Sequence, residues 1–131
     1  MSHNSIQDSR QDVECHLKEL KAVLKRPDCN IDLLMKKKGE TESSPYSTAY
    51  TLQSLEYDLD DVKEELGKLQ LQNYIETMRD SVKAGTSLYV FGVQIQGRDV
   101  YIKEKLRTDK DIFCISFHFA RYPFGKMPYD A

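Results

Sequence analysis

The spacing of apolar residues changes once along this chain, and that change constrains the fold more than any other feature. Val13, Leu17, Leu20 and Leu24 recur at helical intervals with Glu14, Lys18, Lys21 and Lys25 between them, and Pro27 ends the run. Ala49, Leu52 and Leu55 follow a capping Ser47 or Thr48. Leu59, Val62, Leu66 and Leu69 follow Asp58, with acidic residues massed at the positive end of the helix dipole. After Ser87 the period falls to two: Leu88 to Gln96, Val100 to Arg107 and Ile112 to Phe119 are rich in β-branched and aromatic residues. The expected fold class is therefore α+β, with N-terminal helices packed on one face of a C-terminal, three-strand antiparallel sheet.

The remaining segments read less regularly. Ile31 to Lys38 is an apolar run ending in three lysines, suited to an edge strand whose charge discourages further pairing. Gly39 to Pro45 has the composition of a connector, Asn73 to Arg79 reads as one or two further helical turns, and Asp80 to Ser87 as a flexible loop. With 131 residues the chain fits one domain, 1–131, of which 1–11 are expected to be flexible and 120–131 to form an irregular tail. The three cysteines, Cys15, Cys29 and Cys114, are odd in number and widely spaced, which fits buried thiols in a reducing cytoplasm rather than a disulfide framework. No stretch approaches the ~20 apolar residues of a membrane span, so no membrane partner is expected. Cys15-His16 with Cys29 lacks zinc-site spacing, and no glycine-rich phosphate loop occurs, so neither a metal nor a cofactor is expected.

Turn chemistry fixes which strand residues share a face. Gln96-Gly97-Arg98-Asp99 reads as a two-residue hairpin with glycine at the first central position, pairing Ile95 with Val100; Thr108 to Asp111 reads as a four-residue loop. Gln94, Tyr101 and His118 then form one row, Gly92 lies beside Lys103, Lys103 beside Ser116 and Lys105 beside Cys114. Val93, Ile102, Leu106, Phe113, Ile115, Phe117 and Phe119 go to the opposite, core face, with Glu104 a misfit among them. The chain carries a net charge of −2, yet Arg98 to Lys126 holds seven cations against four acids. A polyanion would go there.

Tyr101, Lys103, Lys105 and Arg107 alone have the ordinary pattern of a solvated sheet face. Adding His118 gives a different chemistry: an imidazole near its usual pKa exchanges protons at neutral pH, and cations stabilise charge growing on phosphoryl oxygens. Those are the parts that metal-free RNA cleavage needs. Tyr122, Phe124 and Tyr129 in the tail either cover a sheet edge or stack nucleobases.

YSTAYTLQSLEYDLDDVKEELGKLQLQNYIETM (residues 46–78), GRDVYIKEKL (97–106) and FCISFHFA (113–120), taken in order, resemble the MqsR-type toxins of bacterial toxin-antitoxin pairs. The resemblance implies a RelE-like α/β fold, a metal-independent endoribonuclease acting on single-stranded messenger RNA, and a cognate antitoxin protein as partner. It implies catalytic roles for Tyr101 and Lys103, and places His118 where the family carries a lysine. Glu76 stands where the family has another functional lysine, which inverts the charge. Gln94, Lys105, Arg107 and Arg121 complete the expected RNA- and phosphate-binding set. The alternative is a catalytically inactive RNA- or protein-binding inhibitor on the same scaffold, using its acidic helices or Lys36 to Lys38; a homodimer stays open.

Overall fold

A computed structural model describes residues 3–80 and 87–130. Among the described residues three α-helices and six strands follow one another as β1 (His3–Ile6), α1 (Arg10–Leu24), β2 (Asn30–Leu33), α2 (Thr48–Leu55), α3 (Leu59–Gly67), a 3-10 turn at Leu71–Asn73, β3 (Tyr74–Asp80), β4 (Ser87–Ile95), β5 (Arg98–Leu106) and β6 (Asp111–Phe119). The strands form one sheet in the order β1-β3-β4-β5-β6-β2, antiparallel throughout except that β2 runs parallel to β6. The fold is α+β with a mostly antiparallel sheet, in which β1 and β3 are strands that the sequence pattern does not indicate.

α2 and α3 start where the sequence places them, whereas α1 starts at Arg10, inside the stretch expected to be flexible. Ser9 caps α1 by accepting from Asp12 N–H, Ser47 caps α2 by accepting from Tyr50 N–H, and Asp58 and Asp61 exchange side-chain and backbone bonds at the start of α3. Leu69, expected to continue α3, is buried just beyond its end at Gly67. Val13, Leu17 and Leu20 of α1, Leu52 and Leu55 of α2, and Val62 and Leu66 of α3 share one core with Phe91, Ile95, Val100, Ile102, Ile112, Phe117 and Phe119 of the sheet.

Several expectations are corrected. Asn73 to Arg79 does not add further helical turns: Asn73 ends the 3-10 turn, Tyr74, Ile75 and Thr77 favour extended backbone, and β3 gains hydrogen-bonding neighbours on both sides, in β1 and β4. Tertiary pairing therefore outweighs the short apolar pattern. The N-terminal stretch expected to be flexible supplies β1 and the first turn of α1. β2 lies at a sheet edge as expected but stops at Leu33, so Lys36 to Lys38 lie in the following loop. Positions 81–86, within the expected loop, lie outside the described residues. Cys114 is buried, whereas Cys15 is exposed and Cys29 intermediate.

The β4–β5 turn has Gln96 and Gly97 at its centre, both left-handed with φ of 53° and 79°. That is the hairpin turn whose twist matches the strands it joins. Ile95 therefore pairs with Arg98 rather than Val100, a slip of two that preserves every residue's face but puts Gly92, not Gln94, beside Tyr101. In β6 an irregularity opposite Lys103 and Glu104 changes the phase. Lys105 consequently lies beside Phe113 rather than Cys114. Cys114 moves into the core, while Phe113 and Ile115 leave it; Val93 and Leu106 only flank it. Glu104 does face the core, and its partner is His16 of α1: Nε2 lies 2.5 Å from Oε2, and the imidazole stacks on Tyr89 at 3.6 Å.

Candidate functional site

Strand register brings the central pair together. Tyr101 of β5 and His118 of β6 are direct partners, and their rings stack with centroids 5.3 Å apart and planes 16° from parallel. The third member of that row is Gly92 of β4. A Cβ at Gly92 would come within 2.6 Å of the Phe124 ring and 2.8 Å of Met127, so the bare backbone is what lets the tail lie there. The tail is secured again at Tyr129, whose ring stacks on Tyr74 and whose hydroxyl donates to the Asp8 carbonyl. Between tail and sheet opens a cleft of about 470 Å³ whose lining includes Lys37, Tyr101, Lys103, His118, Arg121 and Phe124.

α2 holds His118 in place. The N–H groups of Phe117 and Phe119 donate to Thr48 Oγ1 at 3.2 Å and Thr51 Oγ1 at 2.9 Å, so the backbone on both sides of His118 is pinned to a helix. Both threonines are buried, and their hydroxyls satisfy edge amides that would otherwise lack partners. His118 Nδ1 lies 3.1 Å from the Phe119 carbonyl, which can only accept, so the proton of the neutral ring sits on Nδ1 and the lone pair on Nε2. Lys37 Nζ donates to that lone pair at 3.1 Å.

The electrostatics of the cleft keep the imidazole neutral. Burial pushes the His118 pKa below its usual value; the Phe119 carbonyl opposes this, Lys37 and Lys103 push it further down, and Glu40 pulls it up. Burial, with the Glu76 carboxylate nearby, pushes the Tyr101 hydroxyl up to about 12, so it remains an O–H donor. Burial and then Lys37 lower the Lys103 pKa, against Glu76. Glu76, Val90, Lys103 and Ser116 occupy one cross-strand row, which explains why the inverted charge at Glu76 reaches the cleft.

Of the residues expected from sequence, Tyr101, Lys103, His118 and Arg121 meet at this cleft. Gln94 does not; it donates to Asp99 Oδ1 at 3.2 Å near the hairpin turn and lines a separate depression. Lys105 and Arg107 share the β5 face but do not line the cleft. Arg107 donates to Asp32 at 3.0 Å and lies 4.0 Å over the Phe113 ring, and Lys105 Nζ is 5.9 Å from the same ring. Sequence reasoning missed Lys37 and Gly92. The three consecutive lysines before Gly39 read as the charged end of an edge strand or as a partner-binding surface, and neither reading connects them with His118. A larger cleft of about 540 Å³, between α1 and the end of β5, contains Arg26 and Arg107 but no histidine or cysteine.

No protein-family model, curated protein or solved structure matches the chain. Among the described residues no helix is long and apolar enough to cross a membrane, and no group of three or more His, Cys, Asp and Glu side chains is placed to hold a metal ion. The functional reading therefore rests on the cleft.

Proposed function

We propose that this protein is a metal-independent endoribonuclease, the toxin of a toxin-antitoxin pair, with the helices-on-sheet arrangement of the MqsR- and RelE-like proteins. The observation that carries the reading is the imidazole of His118, stacked on Tyr101 in a cleft that also holds Lys103 and Arg121. His118 Nε2 takes the proton of a ribose 2′-hydroxyl; the 2′-oxygen bonds to phosphorus as the bond to the 5′-oxygen breaks, a water molecule protonates the leaving 5′-oxygen, and the hydroxide so formed takes the proton back from His118, leaving a 2′,3′-cyclic phosphate and a 5′-hydroxyl. Tyr101 donates to a non-bridging phosphoryl oxygen, and Lys103 and Arg121 neutralise charge developing there. Tyr122, 79% exposed beside the cleft, gives a nucleobase a ring to stack on. Lys105 and Arg107, further along β5, extend the basic track for single-stranded RNA.

The test is digestion of single-stranded RNA in chelator by the wild-type chain, His118→Ala and Tyr101→Phe. Cleavage by the wild type and its loss in His118→Ala support the proposal; intact RNA with the wild type defeats it. A second reading, a non-catalytic RNA- or protein-binding inhibitor, is favoured by the Glu76 carboxylate acting on both Tyr101 and Lys103. Under that reading His118→Ala leaves partner binding unchanged. A cognate antitoxin is the protein partner under the first reading, and co-expression with it should relieve growth arrest.

A further inference from the structure

We infer that Lys37 captures the phosphate of the incoming RNA, and that its departure from His118 is what releases the imidazole lone pair to act as base. This inference rests on the ribonuclease reading of the same cleft and adds to it a residue and an order of events. In the structure the lone pair is occupied. Neither donor direction is adjustable: an ammonium has no acceptor, the Phe119 carbonyl has no donor, and together they leave Nε2 as the atom that receives the Lys37 proton. An imidazole whose lone pair is held in this way cannot also accept from a 2′-hydroxyl.

The partner of Lys37 is weak, which makes it exchangeable. Lys37 is partly buried, and among the described residues its ammonium forms no ion pair with a carboxylate. Glu40, the acid nearest in sequence, is engaged elsewhere: its Oε1 accepts from the Lys37 backbone N–H at 3.2 Å. A partly desolvated cation facing a neutral ring gains from exchanging it for an anionic oxygen, because charge-assisted hydrogen bonds are about twice as strong as neutral ones. Burial already lowers the Lys37 pKa, as expected for a cation short of counter-charge; Glu40 opposes the shift and Arg121 adds to it.

The loop is built for such a movement. Glu40 N–H donates to the Lys37 carbonyl at 2.9 Å, and Gly39 takes a left-handed φ of 82°, so the main chain forms a closed turn at Lys37. The flexible four-carbon side chain can then swing between Nε2 and a phosphate while its Cα stays fixed. Lys103 and Arg121 line the same cleft and draw the phosphate toward it. The charged groups acting on His118 are Lys37 and Glu40 from the loop and Lys103 from β5, with Tyr101 stacked on its ring and Arg121 lining the same cleft from the tail. Among the described residues, Lys37 is the one of these groups that hydrogen-bonds to the imidazole.

The experiment follows the His118 ring signals by NMR against pH in the full chain, for wild type, Lys37→Met and Lys37→Arg, with and without a 2′-O-methyl RNA hexamer that binds but lacks the nucleophile. In the wild type the hexamer should raise the His118 pKa by about one unit, as the ammonium leaves and a phosphate arrives. Lys37→Met keeps the aliphatic stem; its free-protein value should lie above that of the wild type, its response to the hexamer should shrink, and RNA cleavage should fall about 100-fold. Lys37→Arg should keep most of the hexamer response. The inference is overturned if the hexamer leaves the wild-type titration unmoved, if Lys37→Met titrates like the wild type, or if Lys37→Met cleaves at the wild-type rate. Hexamer-dependent titration together with intact RNA would support Lys37 as the phosphate ligand while defeating the ribonuclease reading.

Discussion

At the scale of single residues the protonation state of His118 governs what the cleft can do. Burial puts its pKa below the usual 6.5, so kcat/KM for RNA cleavage should stay level through 6.5 and fall only at lower pH, where Nε2 takes a proton. The sign for stability follows from the same shift. The unfolded imidazole binds protons more readily than the folded one, so stability is full above 6.5 and declines as pH drops from there toward the folded value. Comparing urea midpoints with and without His118→Ala would show whether that acid-side loss disappears with the ring. Glu76 should act in the opposite direction to the cations: Glu76→Gln removes the carboxylate that adds to the Tyr101 shift and opposes the fall at Lys103. A modest rise in RNA affinity, measured as a lower Kd at low salt, is the expected outcome, because one repulsive charge leaves the basic track.

The elements show where local pattern suffices and where it does not. Helix starts were legible because capping is local: Ser47 and Asp58 need only their own next three residues. The Tyr101–His118 pairing was legible through a cancellation: next to the β5–β6 loop Leu106, not Arg107, pairs with Ile112, and the irregularity at Lys103 and Glu104 restores the expected register beyond it, while the two-residue slip at Gln96-Gly97 changes no face. β3 was not legible, since its extended form depends on β1 and β4, which are distant in sequence. The same holds for Phe113: an irregularity in one strand is invisible to a period-two rule, and it turned an expected core ring outward to meet Arg107. Lys37 reaches the site through a loop, where no periodicity applies. α2 gives a test at this scale. Thr51→Val removes the acceptor for the Phe119 N–H and should cost about 1–2 kcal/mol in denaturant unfolding, with a larger loss of cleavage than stability alone explains. Equal losses of both would mean that α2 supports the strand without orienting His118.

Across the whole molecule, the two faces of the sheet carry different chemistry, and each has its own weak point. On the core side, His16 holds the fully buried Glu104 to α1, and Glu104 Oε1 has no hydrogen-bond partner among the described residues. His16→Ala leaves a buried carboxylate without its main partner and should destabilise by about 3–5 kcal/mol, measured by urea unfolding; replacing both residues with apolar ones should recover much of that loss. On the cleft side, Gly92→Ala sets a methyl group against Phe124 and Met127. Cleavage should drop by more than the roughly 1–3 kcal/mol of overpacking accounts for, because the displaced ring is a wall of the cleft.

Strand order has a consequence for how the protein is made. The two margins of the sheet come from the first 33 residues, yet their neighbours are β3 and β6, so Asn30 must wait for Asp111 before it can hydrogen-bond. Pairings this distant in sequence close late. A nascent chain still lacking β6 has neither the partner strand of β2 nor the His118 imidazole, so under the proposed function cleavage of RNA begins only once the chain has been made through Phe119 and β6 has paired.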